Sequence, residues 1–257
     1  MMKVSIITAC YNREKTIAQA IESVLGQDYP NIEYIIVDGA STDCSLEVIR
    51  SYGSRIHQVI SDRDGGMYEA INKGIKAATG DIVGLLHSDD FLIHKGIISQ
   101  IVERFKNTSA DMVYGDGLFV DATNTDKVVR DWRSGSYKRW KVRLGWLPLH
   151  PTVYIKRSAM EQHGLYNETY KIAADSDFLI RYLWKADLKV EYLGKYVVRM
   201  RMGGLSTDSQ RRKAMWKEDV DMFRKNGFWG VPEKLLKMGW KVPQFVKAKL
   251  KREFVVE

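Results

Sequence analysis

The sequence predicts an α/β fold with a mostly parallel, Rossmann-like central sheet flanked by helices. Two observations carry this. Over the first 90 residues, short β-branched runs alternate with stretches of helical periodicity, the pattern of strand–helix–strand units. Polar clusters fall where each strand-like run stops: Tyr11-Asn12, Asp38, Asp62 to Gly66, and Ser88 to Asp90. Ligands of open α/β sheets bind beyond the carboxyl ends of the strands, so four separate loops are expected to converge on one rim.

Residues 3–8, KVSIIT, form a first strand. Ile17, Ala20, Ile21, Val24 and Leu25 follow at helical spacing, with Gly26 and Pro30 punctuating the end. Residues 32–37, IEYIIV, make a second strand that stops at Asp38-Gly39; 45–52 is a helix and 56–60 a third strand. The loop DRDGG precedes a helix from Tyr68 to Ala78, and 81–86, DIVGLL, is a fourth strand. Beyond residue 111 the pattern changes. DMVYGDGLFVDA and DKVVRDW are short strands around turns, 157–163 and 175–186 are helical, and EYLGKYVVRMRM is either a hairpin or a further strand pair. From Asp208 onward helices are expected at 208–226, 231–240 and 243–253.

Composition narrows the class. A 45% hydrophobic share over 257 residues is enough to bury a core, which argues against global disorder. Two cysteines, Cys10 and Cys44, make neither a disulfide framework nor a zinc site, and point to a reducing, cytoplasmic setting. The amino-terminal apolar run is too short for the core of a signal peptide, and no run of 18 apolar residues spans a bilayer. Residues 211–257 carry 13 Lys and Arg against six Asp and Glu, so +7 of the +8 net charge lies there. The rest of the chain is near neutral, and the basic tail has no recognised DNA-binding motif, so nucleic acid is not an expected partner.

The chemistry lies in the acids. Asp89 and Asp90 are adjacent and point in different directions, so one can bind a hard cation while the other takes a sugar or ribose hydroxyl. Asp90 would also serve as a helix cap. Asp38, at the end of an apolar strand, can accept from a base N–H or a ribose hydroxyl, with Asp43 capping the next helix. Gly65 and Gly66 beside Asp64 allow backbone to approach a ligand. Asp175 and Asp177 open a helix, where the dipole favours acids; the functional alternative is a general base. His150 either lines a pocket or is structural, and Trp140 and Trp146 either stack on a sugar or belong to the core. Phosphate-loop, dinucleotide, zinc-protease and serine-hydrolase motifs are missing.

Three segments in order, VSIITACYNREKTIAQAIESVLGQDYPNIEYIIVDGASTD, SDRDGGMYEAINKGIKAATGDIVGLLHSDD and AADSDFLIRYLW, make the chain resemble the family 2 glycosyltransferases of GT-A fold over residues 3–205. The nearest likeness is to bacterial enzymes of surface polysaccharide and O-antigen synthesis. The resemblance implies a domain over 1–207, with 1–110 binding a nucleotide sugar and 111–207 the acceptor, followed by a helical basic extension over 208–257. It implies that Thr8, Ala9, Tyr11 and Asp38 border the nucleotide, and that Asp64, Tyr68, Asn72 and Lys73 line the floor near the donor. Ser88-Asp89-Asp90 stands at the metal motif, with Asp90 as ligand of Mn²⁺ or Mg²⁺. The base is Asp175, with Asp177 as the alternative because Ala174 replaces a Glu frequent in the pattern. Gly204 and Ser206 lie in GGLS, similar to a loop that closes over the donor; the QxxRW motif of processive members is missing.

The expected activity is inverting, metal-dependent transfer of one sugar from a nucleotide diphosphate, UDP by preference, to a glycan or lipid-linked acceptor. The alternatives are a nucleotidyltransferase and a non-catalytic nucleotide-sugar-binding protein. Residues 231–257 interleave Leu, Met, Trp and Phe with seven Lys and Arg, the composition of an interfacial helix pair. This suggests contact with an anionic membrane, on the inner face of the plasma membrane. The other possibility is packing on the enzyme's own body.

Overall fold

A computed structural model describes residues 1–203 and 212–250. The first half is a parallel sheet. Strands β1 (Val4–Cys10), β2 (Ile32–Asp38), β3 (Gln58–Ser61) and β4 (Ile82–Leu85) are joined by helices α1 (Ile17–Leu25), α2 (Ser45–Ser51) and α3 (Met67–Ala77). They lie in the order β3-β2-β1-β4 with all three pairings parallel. Neighbouring residues of one strand enter different cores. Ile7, Ile35 and Val83 join one layer with α3, while Ile6, Ile36 and Ile82 join the other with α1. That is the period-two alternation of a sheet buried on both faces, and it explains why these strands are nearly continuous apolar runs.

The second half completes the sheet with mixed pairings. After β5 (Phe91–Leu92) and α4 (Ile97–Thr108) come β6 (Met112–Val120), β7 (Val128–Trp132), α5 (Arg139–Arg143), β8 (Tyr154–Lys156) and α6 (Arg157–His163). Strand β8 is inserted antiparallel between β4 and β6. The segment expected as a hairpin or strand pair is instead one strand, β9 (Val190–Arg201), parallel to β6. Its register jumps from Tyr114↔Tyr192 to Asp116↔Tyr196, and Gly194, at φ 72°, absorbs the extra residues in a bulge. The helix expected over 175–186 is α7 (Ala174–Ile180), which runs on as a π turn over Arg181–Lys185.

The carboxyl-terminal helices α8 (Arg212–Lys225), α9 (Val231–Gly239) and α10 (Val242–Leu250) pack on the body. Met222 and Phe223 of α8, and Phe228 after it, share the core of α3 and α7. Trp240 Nε1 donates to Leu144 O at 2.9 Å, and Arg130 of β7 donates to Gln244 of α10 at 2.6 Å. No helix among the described residues is long and apolar enough to cross a membrane.

Candidate active site

The parallel register places Cys10, Asp38 and Ser61 side by side at the carboxyl ends of β1, β2 and β3. Asp38 is fully buried, and its carboxylate accepts from Ser41 N (3.1 Å), Ser41 Oγ (2.5 Å) and Ser61 Oγ (2.9 Å). Much of its capacity is thus spent on shaping the loop. Asp43 accepts from Ser45 N at 3.0 Å at the start of α2 and from Glu14 N at 3.1 Å. Asn12, in the left-handed region at φ 52°, accepts from Thr42 N at 2.9 Å, so the loops after β1 and β2 are stitched together. Tyr11 projects into solvent from this rim and Ala9 is half-buried, whereas Thr8 is buried with its hydroxyl on Tyr34. Asp64 accepts from Gly66 N at 2.9 Å and abuts Gly39, where a Cβ would lie 2.6 Å from Asp64 Oδ2. A side chain at Gly39 would have to displace the Asp64 carboxylate.

Of the expected floor residues, two serve mainly as scaffold. Asn72 donates to Tyr166 O and Glu168 Oε1 and accepts from Tyr166 N, clamping the segment before α7. Lys73 is held by Glu69 Oε1 at 3.0 Å and Arg63 O. Tyr68 is buried, donates to Ile172 O at 3.1 Å and lies close enough to Asp175 for that carboxylate to act on its hydroxyl.

The two central acids come from distant parts of the chain. Asp90 is buried; its Oδ1 accepts from Arg201 N at 2.9 Å, while its Oδ2 has no partner among the described residues. Burial, then the neighbouring Asp89, pushes the Asp90 carboxyl well above the usual carboxylate range. A bare, buried carboxylate oxygen is costly unless something compensates it, and a cation is what its chemistry fits. No cluster of three or more His, Cys, Asp or Glu is disposed around a metal among the described residues. Asp89 is half-buried and faces Arg13 at 3.9 Å.

Asp175 and Asp177, separated by one residue of α7, differ sharply. Asp177 is buried and occupied on both oxygens, by Arg181 Nε at 2.9 Å and Asn226 Nδ2 at 2.8 Å. Asp175 is half-buried and, among the described residues, receives only Ser176, through its N–H at 2.7 Å and more distantly its hydroxyl. Burial raises its pKa, while Lys237 and the Ser176 N–H oppose the rise.

Several contributors escaped the sequence reading. Burial lowers the pKa of His87, while Asp89 and Asp175 act on it in the opposite sense. It faces His150 at 6.0 Å between ring centroids. His150 is buried, bonds Tyr166 Oη at 2.6 Å, and is pushed down to about 3 by burial and by His87, so it stays neutral. The only signal for His87 was its place beside Ser88-Asp89-Asp90. Arg201, at the end of β9, pins Asp90 with its N–H and the Asp89 carbonyl with its guanidinium. From α8, Glu218 accepts from Ile172 N (2.8 Å) and Ala173 N (3.0 Å), fixing the entry to α7. From α9, Lys237 reaches Ser176 Oγ at 2.7 Å. Gly204 and Ser206 lie outside the described residues.

An α/β sheet with an acidic loop at a strand's carboxyl end and a further acid on α7 is consistent with the GT-A glycosyltransferases. Solved structures agree. *Staphylococcus aureus* TarS 1–349 in complex with UDP superposes with a TM-score of 0.69 at 19% identity, over 93% of this chain and 70% of that one. Mannosyltransferase PcManGT from Pyrobaculum calidifontis, in complex with GDP-Man and Mn²⁺, gives 0.66 at 16% identity, over 96% and 74%. The chain spans 44% of the longer TarS structure. The family model "Glycosyl transferase family 2" matches residues 5–168, and the chain belongs to that family. A PGL/p-HBAD biosynthesis glycosyltransferase of Mycobacterium tuberculosis (strain ATCC 25177 / H37Ra) is 27% identical over 207 residues, 79% of this chain and 78% of that protein. The protein is therefore a glycosyltransferase, not a nucleotidyltransferase or a passive binder.

Proposed function

We propose that this glycosyltransferase moves one sugar from a UDP-linked donor to a glycan or lipid-linked acceptor, with inversion, in surface polysaccharide synthesis. Residues 1–110 hold the donor and 111–207 the acceptor. The observation that carries the reading is the pair of unequal acids: Asp90 buried with one oxygen bare among the described residues, and Asp175 half-buried, with His87 in the electrostatic range of Asp175 and of Asp89 beside Asp90. TarS in complex with UDP and with UDP-GlcNAc supports the nucleotide, and the Mn²⁺ of PcManGT supports a divalent metal. Asp90 would hold that metal, which when bound supplies positive charge against the diphosphate leaving group.

The protein's own groups do the rest. Tyr11 and the Asp38 loop border the nucleotide, with Asp64 closing the floor. Asp175 accepts the proton of the acceptor hydroxyl as that oxygen attacks the anomeric carbon from the face opposite the nucleotide. Its raised pKa makes it a stronger base than a solvent-exposed carboxylate, and Lys237 and the Ser176 N–H favour its ionised form. Neutral His150 adds no competing positive charge beside His87, whose pKa burial lowers. Asp177, occupied on both oxygens, supports the assignment of the base to Asp175. The missing QxxRW motif supports a single transfer over polymerisation.

A screen of nucleotide sugars by thermal shift, with and without Mn²⁺ or Mg²⁺, tests the donor, because ligand bound only to the folded state raises Tm. UDP-sugars should raise it and release UDP on transfer. Stabilisation by GDP-sugars alone would overturn the nucleotide assignment, and retention of the donor's anomeric configuration in the product would overturn direct displacement.

A further inference from the structure

Between the end of β7, the loop over 133–147 and the α9–α10 turn lies a cavity of about 170 Å³. Its wall is mostly apolar, and the charged groups set into it are nearly all basic: Arg133, Lys141, Lys237 and Lys241. The one acid in the wall, Asp131, is already engaged by Arg133 at 3.3 Å and by the Tyr196 hydroxyl at 2.7 Å. Lys237 is paired with Asp219 at 2.8 Å, but Lys241 has no acid within ion-pair distance among the described residues. Burial, then Lys237, Arg130 and Lys234, pushes the Lys241 amine down to about 8. A cavity that gathers four cations and leaves two of them, Lys141 and Lys241, without an acid partner among the described residues is suited to an anion. Trp146 and Trp240 form apolar walls beside it.

The surface next to the cavity has the opposite character. On α9 the lysines turn inward, Lys234 and Lys237 both reaching Asp219, while Leu235, Leu236 and Met238 face solvent. Val242, Phe245 and Val246 of α10 are also exposed, as are Trp240 in the turn and Leu144 in the facing loop. This inverts the usual polarity of a surface helix and leaves an apolar patch beside a cationic cavity. The expectation of lysines meeting lipid all along 231–257 is corrected at Lys234 and Lys237, whose ammonium groups are committed to Asp219.

We propose that this region is a lipid-phosphate site: the cavity takes the phosphate or diphosphate of a membrane lipid, and the exposed row of α9 and α10 seats in the acyl boundary. An interfacial element of this kind combines buried apolar area with attraction to anionic headgroups. The inference deepens the proposed function by naming the chemistry of the acceptor's carrier, and it rests on that reading for its link to catalysis. Lys237 lines the cavity and bonds Ser176, the residue after Asp175, so a phosphate held there presents its attached acceptor toward the proposed base.

The test is co-sedimentation of the full chain with phosphatidylcholine vesicles, with and without phosphatidic acid, and with free diphosphate as competitor. The wild-type protein should prefer the phosphatidic acid vesicles at least about tenfold, and diphosphate should reduce that preference. Lys241→Ala should abolish the preference with no loss of Tm, since it removes a crowded, unpaired charge. Leu236→Ser with Met238→Ser should weaken binding to both vesicle types. Equal binding to the two vesicle types, or a preference retained in Lys241→Ala, would overturn the proposal. So would diphosphate binding without any vesicle binding, which would mark a site for soluble anions. Donor binding, followed in the same variants by thermal shift with UDP-sugars, should persist; its absence in wild type would count against the donor assignment and not against the lipid site.

Discussion

Asp175 and Asp177 lie two positions apart on one helix, and what separates them is their partners. Asp177 is paired with Arg181 and Asn226, whereas Asp175 keeps an oxygen available. Asp175→Asn, nearly isosteric, should fold and bind donor as wild type while losing transfer by a factor on the order of 10² or more. Single-turnover transfer beside donor affinity checks this; undiminished transfer would remove Asp175 from the role. Asp90 carries a second expectation. Because its Oδ2 is buried and bare, Asp90→Ala should lower nucleotide-sugar affinity in Mn²⁺ and leave the metal-free affinity little changed. Calorimetry with and without metal reads the difference, and a wild-type affinity indifferent to metal would refute the metal role.

At the scale of elements, two tethers hold the site in shape. At the amino ends of the strands, the Glu33 carboxylate accepts from Lys3 Nζ (2.6 Å), Ser5 Oγ (2.5 Å), Thr79 N (2.8 Å) and Thr79 Oγ1 (2.6 Å), tying β1, β2 and the entry to β4. Burial alone would raise its pKa, but these bonds outweigh it and hold it at about 2, below the ordinary 4.5. Its contribution, roughly 3 kcal/mol, is therefore complete above about pH 4.5 and lost as pH falls toward 2. Denaturant titrations should show the stability gap between wild type and Glu33→Gln shrinking from pH 6 to pH 3; a constant gap would mean the charge is immaterial. The second tether runs from α9 to α7. Lys237 favours the ionised form of Asp175, so Lys237→Met should raise the pKa of the base. The acid limb of the pH–rate profile should then move to higher pH. An unmoved limb, with only a uniform loss of rate, would indicate a purely structural contact.

At the scale of the whole molecule, the carboxyl-terminal helices are part of the enzyme's body. Asp219 on α8 is buried between Lys234 and Lys237 of α9, and Glu218 holds the entry to α7. Truncation after Gly230 removes both counter-charges of Asp219 together with the packing of α9 and α10 on the body. The 1–230 protein should therefore melt well below the full chain and transfer less sugar. Differential scanning calorimetry checks this, and an unchanged Tm would show that α9 is dispensable to the fold. Point changes on the outer face of α9 are consequently the cleaner probe of membrane binding.

Much of this protein was legible in the order of its residues. Apolar runs at period two and helices at period 3.6 are local signals, so β1 to β4, α1 to α3 and the acid-bearing rim after each strand could be read directly. The resemblance of three segments to family 2 glycosyltransferases added the family and its expected site residues. Tertiary structure decided what depends on partners distant in the chain. Whether Asp38, Asn72 or Asp177 is already satisfied is decided by Ser61, Tyr166 and Asn226, none of them visible from the local sequence. The electrostatic influence of Asp175 on His87 comes from α7, far along the chain, and the hairpin reading failed because a bulge at Gly194 keeps β9 running along β6. Composition alone suggested a basic tail facing outward. Burial of Asp219 drew two of its lysines inward and left its apolar residues exposed, because an unpaired buried carboxylate costs more than a few leucines in water.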